Sequence, residues 1–507
     1  MPVTPRSLRT LAALLLAALA WLSLATPAHA AAAKPNILYI LADDLGTGDV
    51  SALNPSRGKI PTPHLDRLAA QGMIFSDAHS GASVCTPTRY GLLTGRYAWR
   101  TRLQKGVFDG GSDEPLISAD RLTLPALLRQ QGYATACLGK WHLGFLADAP
   151  PPSPAGTKRT MGDAGPPLGS RIVGGPTTRG FDYFWGCSNA RTMASLIEGD
   201  RVIERLPPVE MLPRLTQRAV DYLGAHAAAA KSGRPFFLYV ALTSPHTPIL
   251  PAPAWQGKSP LGAYGDFVMQ TDATVGQILA ALDRHGLAEN TLVVFTSDNG
   301  CAVQAGVDKL EAAGHFASAQ YRGYKADGWE GGHRVPFFVR WPGQVSPGTR
   351  HAALIGHGDF FATTADLLGV RLPATAAPDS VSFLPALRGN APSLARPALV
   401  HHSIRGQFSI REGHYKLIFG GGSGGYGKPG DADARSQGLP DAQLYDLRAD
   451  PAETTNLIAT HRAEATRLAA LLHRIVADGR STPGPAQPND DVVVLPSLKS
   501  VTVSTKP

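Results

Sequence analysis

The sequence predicts an α/β protein: a mostly parallel, doubly wound sheet with a smaller α+β subdomain at its C-terminal end. Three observations lead there. Four short apolar runs, at 36–42, 133–138, 236–242 and 292–296, lack the polar alternation of a half-solvated strand and read as strands buried on both faces. Helix-periodic segments separate them, and from about residue 395 the texture shifts to short strand-like pieces followed by a long helix. Each apolar run also stops abruptly at polar residues, the place where open α/β sheets bind ligands.

In chain order, Arg6 and Arg9 precede an apolar run at 11–24 that ends in Ala28-His29-Ala30, the pattern of an export signal over 1–30 cleaved after Ala30. The run is short for a membrane span and no other run approaches that length, so the mature protein is expected to be periplasmic or secreted, without a membrane anchor. Asn36 to Ala42 forms the first strand and ends at Asp43-Asp44. Thr62 through Gly72 is a crossover helix, with threonine at the N-cap, proline at the first helical position and a terminating glycine. A similar helix runs from Thr123 to Gln131, and the strand at 133–138 leads into Gly139-Lys140-Trp141-His142. Residues 148–180, rich in proline, glycine and threonine, form an irregular insertion near the site. The strand at 236–242 ends at Ser244-Pro245-His246, a helix covers 265–286, and the strand at 292–296 ends at Ser297-Asp298-Asn299-Gly300. The main domain spans 34–394. Residues 395–480 carry strands at 408–411, 415–419 and 443–447, a Gly-rich loop at 420–430 and a helix near 461–478; the tail 481–507 is expected to be poorly ordered.

A hydrophobic share of 43% against 17% charged residues excludes a disordered chain, and 507 residues suffice for one large α/β domain or two or three smaller units. Cleavage would remove two arginines and no acid from a formal net charge of +8. The remaining mild excess suits an anionic substrate or a generally solvated surface, and no dense Lys/Arg run points to nucleic acid. Four cysteines are too few for a disulfide scaffold and have no metal-ligand spacing.

Cys85 lies in Ser83-Val84-Cys85-Thr86-Pro87-Thr88-Arg89, which continues as Tyr90-Gly91-Leu92-Leu93-Thr94-Gly95-Arg96. Pro87 and the helix-competent segment after it place Cys85 at a helix N-terminus, where backbone N–H groups favour an anion. Arg89, one turn on, could hold a negatively charged nucleophile or substrate oxygen. The same position suits a reactive thiol of the Cys-His type, or a small buried side chain. Asp43-Asp44 and Asp298-Asn299 are hard oxygen donors of the kind calcium or magnesium prefers, although single aspartate pairs also cap helices and shape turns. Lys140 and His142 in Gly-Lys-Trp-His-Leu-Gly, His246 in Ser-Pro-His-Thr-Pro and Lys325 in Gly-Tyr-Lys-Ala-Asp-Gly complete the candidates.

From about residue 34 to 480 these ordered motifs resemble the type I, formylglycine-dependent sulfatases of the arylsulfatase and N-acetylhexosamine-sulfatase group. The resemblance implies an alkaline-phosphatase-like sheet sandwiched by helices, with the sulfatase domain over 34–394. It implies that a maturation enzyme oxidises Cys85 to formylglycine (3-oxoalanine). One Ca2+, or Mg2+, would be held by Asp43, Asp44, Asp298, Asn299 and the formylglycine oxygen at position 85. In the implied chemistry one hydroxyl of a hydrated aldehyde attacks sulfur and expels the alcohol; the other is then deprotonated and sulfate leaves. Asp298 would be the base for attack, Lys140 and Lys325 would bind sulfate, and His246, with Lys325, would serve the leaving oxygen. His142 would be the base for sulfate release and Arg89 would fix the hydrated aldehyde, while Glu330 and Arg334 would form a structural ion pair or orient a loop. With Cys85 modified, at most one disulfide can form among Cys137, Cys187 and Cys301. The expected substrate is a sulfated carbohydrate or an aryl sulfate, and His315, Trp329, His333 and His401 either line its pocket or are structural. A phosphate or phosphonate ester hydrolase of the same superfamily and a non-catalytic sulfate-binding protein are the competing classes.

Overall fold

The computed structural model describes residues 34–148, 165–389, 394 and 396–495. The export signal expected over 1–30 and half of the 148–180 insertion therefore lie outside the described residues. Ten strands form the main sheet: β1 (Asn36–Asp43), β2 (Met73–Phe75), β3 (Ala134–Lys140), β4 (Tyr183–Cys187), β5 (Ser195–Glu198), β6 (Arg201–Arg205), β7 (Phe236–Pro245), β8 (Thr291–Ser297), β9 (Phe337–Arg340) and β10 (Thr349–His351). Their order is β10-β2-β9-β8-β1-β7-β3-β4-β5-β6. The central five, β8 through β4, run parallel, and antiparallel strands extend the sheet on both sides.

Helices α1 (Pro63–Gln71), α2 (Cys85–Thr94), α3 (Leu124–Gln130), α4 (Met211–Lys231), α5 (Gly262–Arg284) and α6 (Asp359–Leu367) cover both faces. Leu38, Ile40, Leu238 and Val240 share a core with Leu65 of α1, Leu215 of α4 and Ile278 of α5. The alternate residues Ile37, Tyr39, Phe237 and Tyr239 pack with Leu92 of α2, Leu127 of α3 and Phe360 of α6. Both sides of each central strand are thus apolar, which is why the runs show no period of two. The helix starts differ in how they are satisfied. Thr123 accepts from Ala126 N at 3.2 Å as an N-cap should, whereas at α1 Thr62 makes no such bond. There Asp272 of α5 accepts from His64 N and Leu65 N, an across-fold cap invisible to local sequence.

Register decides where the chemistry sits. Asp43 pairs with Pro245 and Ala42 with Ser297, so three parallel strands end in one row and deliver Asp43-Asp44, His246 and Asp298-Asn299 side by side. β3 joins through Ala241 and Gly139. Gly139 has φ +100° and a Cβ there would lie 2.0 Å from the Ala241 carbonyl oxygen, so only glycine lets β3 approach closely while presenting Lys140.

The C-terminal region forms a second, antiparallel sheet, β11 (Leu399–His402), β12 (Phe408–Glu412), β13 (Tyr415–Ile418) and β14 (Gln443–Asp446), under α7 (Arg462–Ala477). Leu468 and Leu472 of α7 pack on Ile410, Leu417 and Leu444. The expectation of a poorly ordered tail is corrected over its described part, 481–495. Asp490 pairs with buried Arg96 at 2.9 Å and Asn489 accepts from buried Arg100 at 2.9 Å. Buried guanidinium groups need acceptors, and the tail supplies them.

Candidate active site

Cys85 is the first residue of α2, after an extended Val84, and its sulfur lies 3.5 Å from Asp43 Oδ1. Lys140 Nζ touches both Asp43 oxygens, at 2.9 and 2.7 Å, and Lys325 Nζ touches both Asp44 oxygens, at 2.7 and 2.8 Å. His246 Nε2 stands 3.6 Å from Asp44 Oδ2. Asp44 and His142 both adopt positive φ, 67° and 57°, so two non-glycine residues hold backbone strain at the same site. The structure therefore brings Asp43, Asp44, Cys85, Lys140, His246 and Lys325 together, with Asp298 and Asn299 joined through hydrogen bonds to Asp44. His142 lines the same cavity as Cys85.

Arg89 stands behind the carboxylates. Its fully buried guanidinium donates to Asp298 Oδ2 at 2.8 Å and to the Lys140 carbonyl at 3.1 Å, and lies 3.6 Å from Asp43. It braces the carboxylates from behind and does not line the cavity. Arg89→Ala would leave Asp298 buried without its counter-ion, so a loss of about 3–5 kcal/mol is expected. Thermal unfolding of the purified variant measures it; an unchanged Tm would show that the pair carries no stability.

Three carboxylates, Asp43, Asp44 and Asp298, face three cations, Arg89, Lys140 and Lys325, so the formal charges cancel. Burial pushes the Asp43 carboxyl up, but Lys140, His246 and Arg89 together hold it well below the usual range. Burial, then the Asp298 charge, pushes the Cys85 thiol up to about 12. That direction is opposite to the lowered pKa of a thiol activated in a Cys-His pair. Burial and Lys140 push His142 well below its ordinary value. Neutral His142 with Nε2–H on the Phe108 carbonyl, at 2.8 Å, keeps its lone pair on Nδ1, a buried atom with no partner.

The oxygen donors fit a divalent cation. Asn299 spends its Nδ2 on Asp44 Oδ1 and the Gly300 carbonyl, leaving its Oδ1 buried and unpartnered. A buried carbonyl oxygen beside three carboxylates is what a hard cation would complete. Asp43, Asp44, Cys85 and His246 also offer ligand atoms within 4.8 Å of one another.

The proposed pocket residues His315, Trp329, His333 and His401 prove structural. All four are buried and none lines the cavity. His315 Nε2 bonds Asp49 at 2.8 Å, Trp329 Nε1 donates to Gln443, and His401 Nδ1 bonds the Ser80 carbonyl. His333 joins an ion network in which Glu330 pairs with Arg334 at 2.8 Å and with Lys416 of β13 at 3.0 Å. All four cysteines are buried and free, so the one disulfide allowed for does not form. The outer wall consists instead of Val107, Phe108, Arg191, Ile404 and Tyr426. Sequence reasoning missed these five; the Gly-rich loop that carries Tyr426 was their only signal.

A cavity with two lysines at its floor, no carboxylate in its lining and oxygen donors for a divalent cation behind it suits an anion at the residue that opens α2 once that cation is bound. That is the design of a metal-assisted hydrolase of anionic esters. The sulfatase family model matches residues 35–370. The N-acetylgalactosamine-6-O-sulfatase of Bacteroides thetaiotaomicron is 32% identical over 510 residues, covering 87% of this chain and 93% of the relative. Arylsulfatase A of Bos taurus is 35% identical over 482 residues, covering 90% and 91%. A solved structure from work on glycosaminoglycan metabolism by Bacteroides thetaiotaomicron superposes with a TM-score of 0.74 at 31% identity, covering 88% of this chain and 99% of its own. The chain belongs to the sulfatase family. It is a sulfuric ester hydrolase, releasing an alcohol and inorganic sulfate, of a family that works through a formylglycine and a divalent metal.

Proposed function

We propose that this chain desulfates a sulfated saccharide, with residue 85 matured to formylglycine by a dedicated enzyme and Ca2+, or Mg2+ in its stead, held by Asp43, Asp44, Asp298 and Asn299. The acid-free cavity that runs from Cys85 and the two lysines to an aromatic and guanidinium wall carries this reading. When present, the formylglycine supplies the hydroxyls for attack on sulfur and for sulfate release, and the cation draws charge from the sulfate oxygens.

The chain's own side chains divide the remaining work. Lys140 and Lys325 bind sulfate oxygens. Burial lowers the affinity of the Lys325 ammonium for its proton, but Asp44 outweighs this and raises it, so Lys325 stays charged and donates a hydrogen bond toward the leaving oxygen. His246 is oriented by the Nδ1 contact with the Thr247 carbonyl and presents Nε2 to the same oxygen. Asp298 accepts the proton of the attacking group, and Arg89 holds that carboxylate in place. His142 takes a proton on its free Nδ1 as sulfate departs.

Phe108 and Tyr426 offer aromatic surface of the kind that stacks on sugar rings, and the name of the Bacteroides relative agrees with an amino-sugar sulfate. Export of the mature chain would bring it to such substrates, and no described helix is long and apolar enough to cross a membrane. Sulfate release by matured protein from 6-sulfated N-acetylhexosamines, galactose sulfates and simple aryl sulfates tests the reading. A kcat/KM about tenfold or more above the aryl ester is expected for one saccharide; the reverse order would overturn the saccharide assignment.

A further inference from the structure

We propose that Arg191, with Tyr426, forms a subsite for a second anionic group on the substrate, a uronate carboxylate or a further sulfate. The inference rests on the saccharide-sulfate reading above and specifies it.

The loop after β4 is built to hold Arg191 in place. Trp141 N donates to the Cys187 carbonyl at 3.0 Å and His142 N to the Ser188 carbonyl at 2.7 Å, fastening this loop to the segment that carries Lys140 and His142. Buried Asn189 accepts at Oδ1 from Arg191 N, Thr192 N and the Thr192 hydroxyl, and donates from Nδ2 to the Asp109 carbonyl at 2.7 Å. The backbone at Arg191 is thus pinned, while its side chain is exposed at the cavity wall. Among the described residues its guanidinium makes no hydrogen bond and no ion pair. Buried Arg89, Arg100 and Arg411, in contrast, are each paired with a carboxylate.

No carboxylate lines this cavity, and the charges of Lys140 and Lys325 are answered by Asp43 and Asp44 behind it, so among the described residues Arg191 is the cation of the lining left without a partner. A guanidinium pinned at the wall matches carboxylate and sulfate oxygens with two parallel N–H donors. Tyr426 comes to the same cavity by a separate route. Tyr426 N and Gly427 N donate to Asp327 Oδ1 at 2.8 and 2.7 Å, and Tyr324 N donates to Asp327 Oδ2 at 2.9 Å. One buried carboxylate therefore ties the Gly-rich loop to the segment holding Lys325. A Cβ on Gly425 would lie 2.3 Å from the Ala326 carbonyl oxygen, so the glycine allows that approach. The half-exposed Tyr426 ring is left facing the mouth, as a platform for the sugar that bears the second charge.

The test compares kcat/KM of matured wild type, Arg191→Ala and Arg191→Lys on an N-acetylhexosamine monosulfate, its disulfate and a uronate-linked disaccharide sulfate. The ratio of doubly to singly anionic substrate is expected to fall about tenfold or more in Arg191→Ala, through KM, with partial recovery in Arg191→Lys. The doubly anionic substrate that loses its advantage identifies sulfate or carboxylate as the natural group. An unchanged ratio, or an equal loss on all three substrates, overturns the subsite. A wild type that turns over monosulfate well but prefers neither doubly anionic sugar overturns the subsite and leaves the saccharide reading standing. Turnover of aryl sulfates alone overturns both.

Discussion

Cys85→Ala is expected to abolish sulfate release, by about 10,000-fold or more, with little change in Tm. The asymmetry follows from what the side chain touches. Its sulfur has one polar contact, to Asp43 at 3.5 Å, so the fold barely depends on it. As a thiol it also lacks the hydroxyls that the scheme needs, and burial and the Asp298 charge push its pKa up to about 12. Protein made without maturation should therefore be as inactive as the alanine variant. Mass analysis of the peptide containing residue 85 separates the two states, since the active form has exchanged one sulfur and two hydrogens for an oxygen. Sulfate release by Cys85→Ala within tenfold of wild type would sink the scheme.

Removal of divalent cations comes second in size. Exhaustive treatment with EDTA is expected to cut turnover about 1,000-fold and to lower Tm, with Ca2+ restoring both better than Mg2+. Without the ion, three carboxylates and three cations cancel and the floor offers an anionic ester little net attraction. The ion would add two positive charges and give the orphaned Asn299 Oδ1 a partner. At a free concentration 100 times its Kd, binding to the folded state alone would add about 2.7 kcal/mol of stability, which thermal unfolding with and without Ca2+ would show. Full activity in protein proved metal-free by elemental analysis would contradict the assignment.

The features legible in the sequence were those encoded by contiguous pattern. Asp43-Asp44 and Asp298-Asn299 stand at the ends of apolar runs, and parallel pairing of Ala42 with Ser297 brings the two ends together. Cys85 at a helix start followed from Pro87 and the residues beyond it. What stayed hidden depends on partners distant in sequence. Nothing near Arg89 says that it faces Asp298, 209 residues on, rather than the cavity. For His333 and His401 the choice between pocket and structure stayed open, because their burial is made tolerable by Lys416 and by the Ser80 carbonyl, which no local window contains. A tail rich in proline and serine gave no hint that Asp490 and Asn489 answer buried arginines. Asn189 and Arg191 carry no periodicity at all, and only the cavity makes sense of them.

The carboxylate of Asp327 has a consequence for how such an enzyme can diversify. It secures the Lys325 segment with one oxygen and the Tyr426 loop with the other, although the two lie about a hundred residues apart. A lineage altering the Gly-rich loop would therefore disturb Lys325, the lysine proposed to bind the sulfate. Selectivity and turnover are inherited together through one side chain, and new preferences would arise more readily at the Arg191 wall, whose anchor is Asn189 and whose backbone bonds reach Lys140's neighbours without touching Lys325.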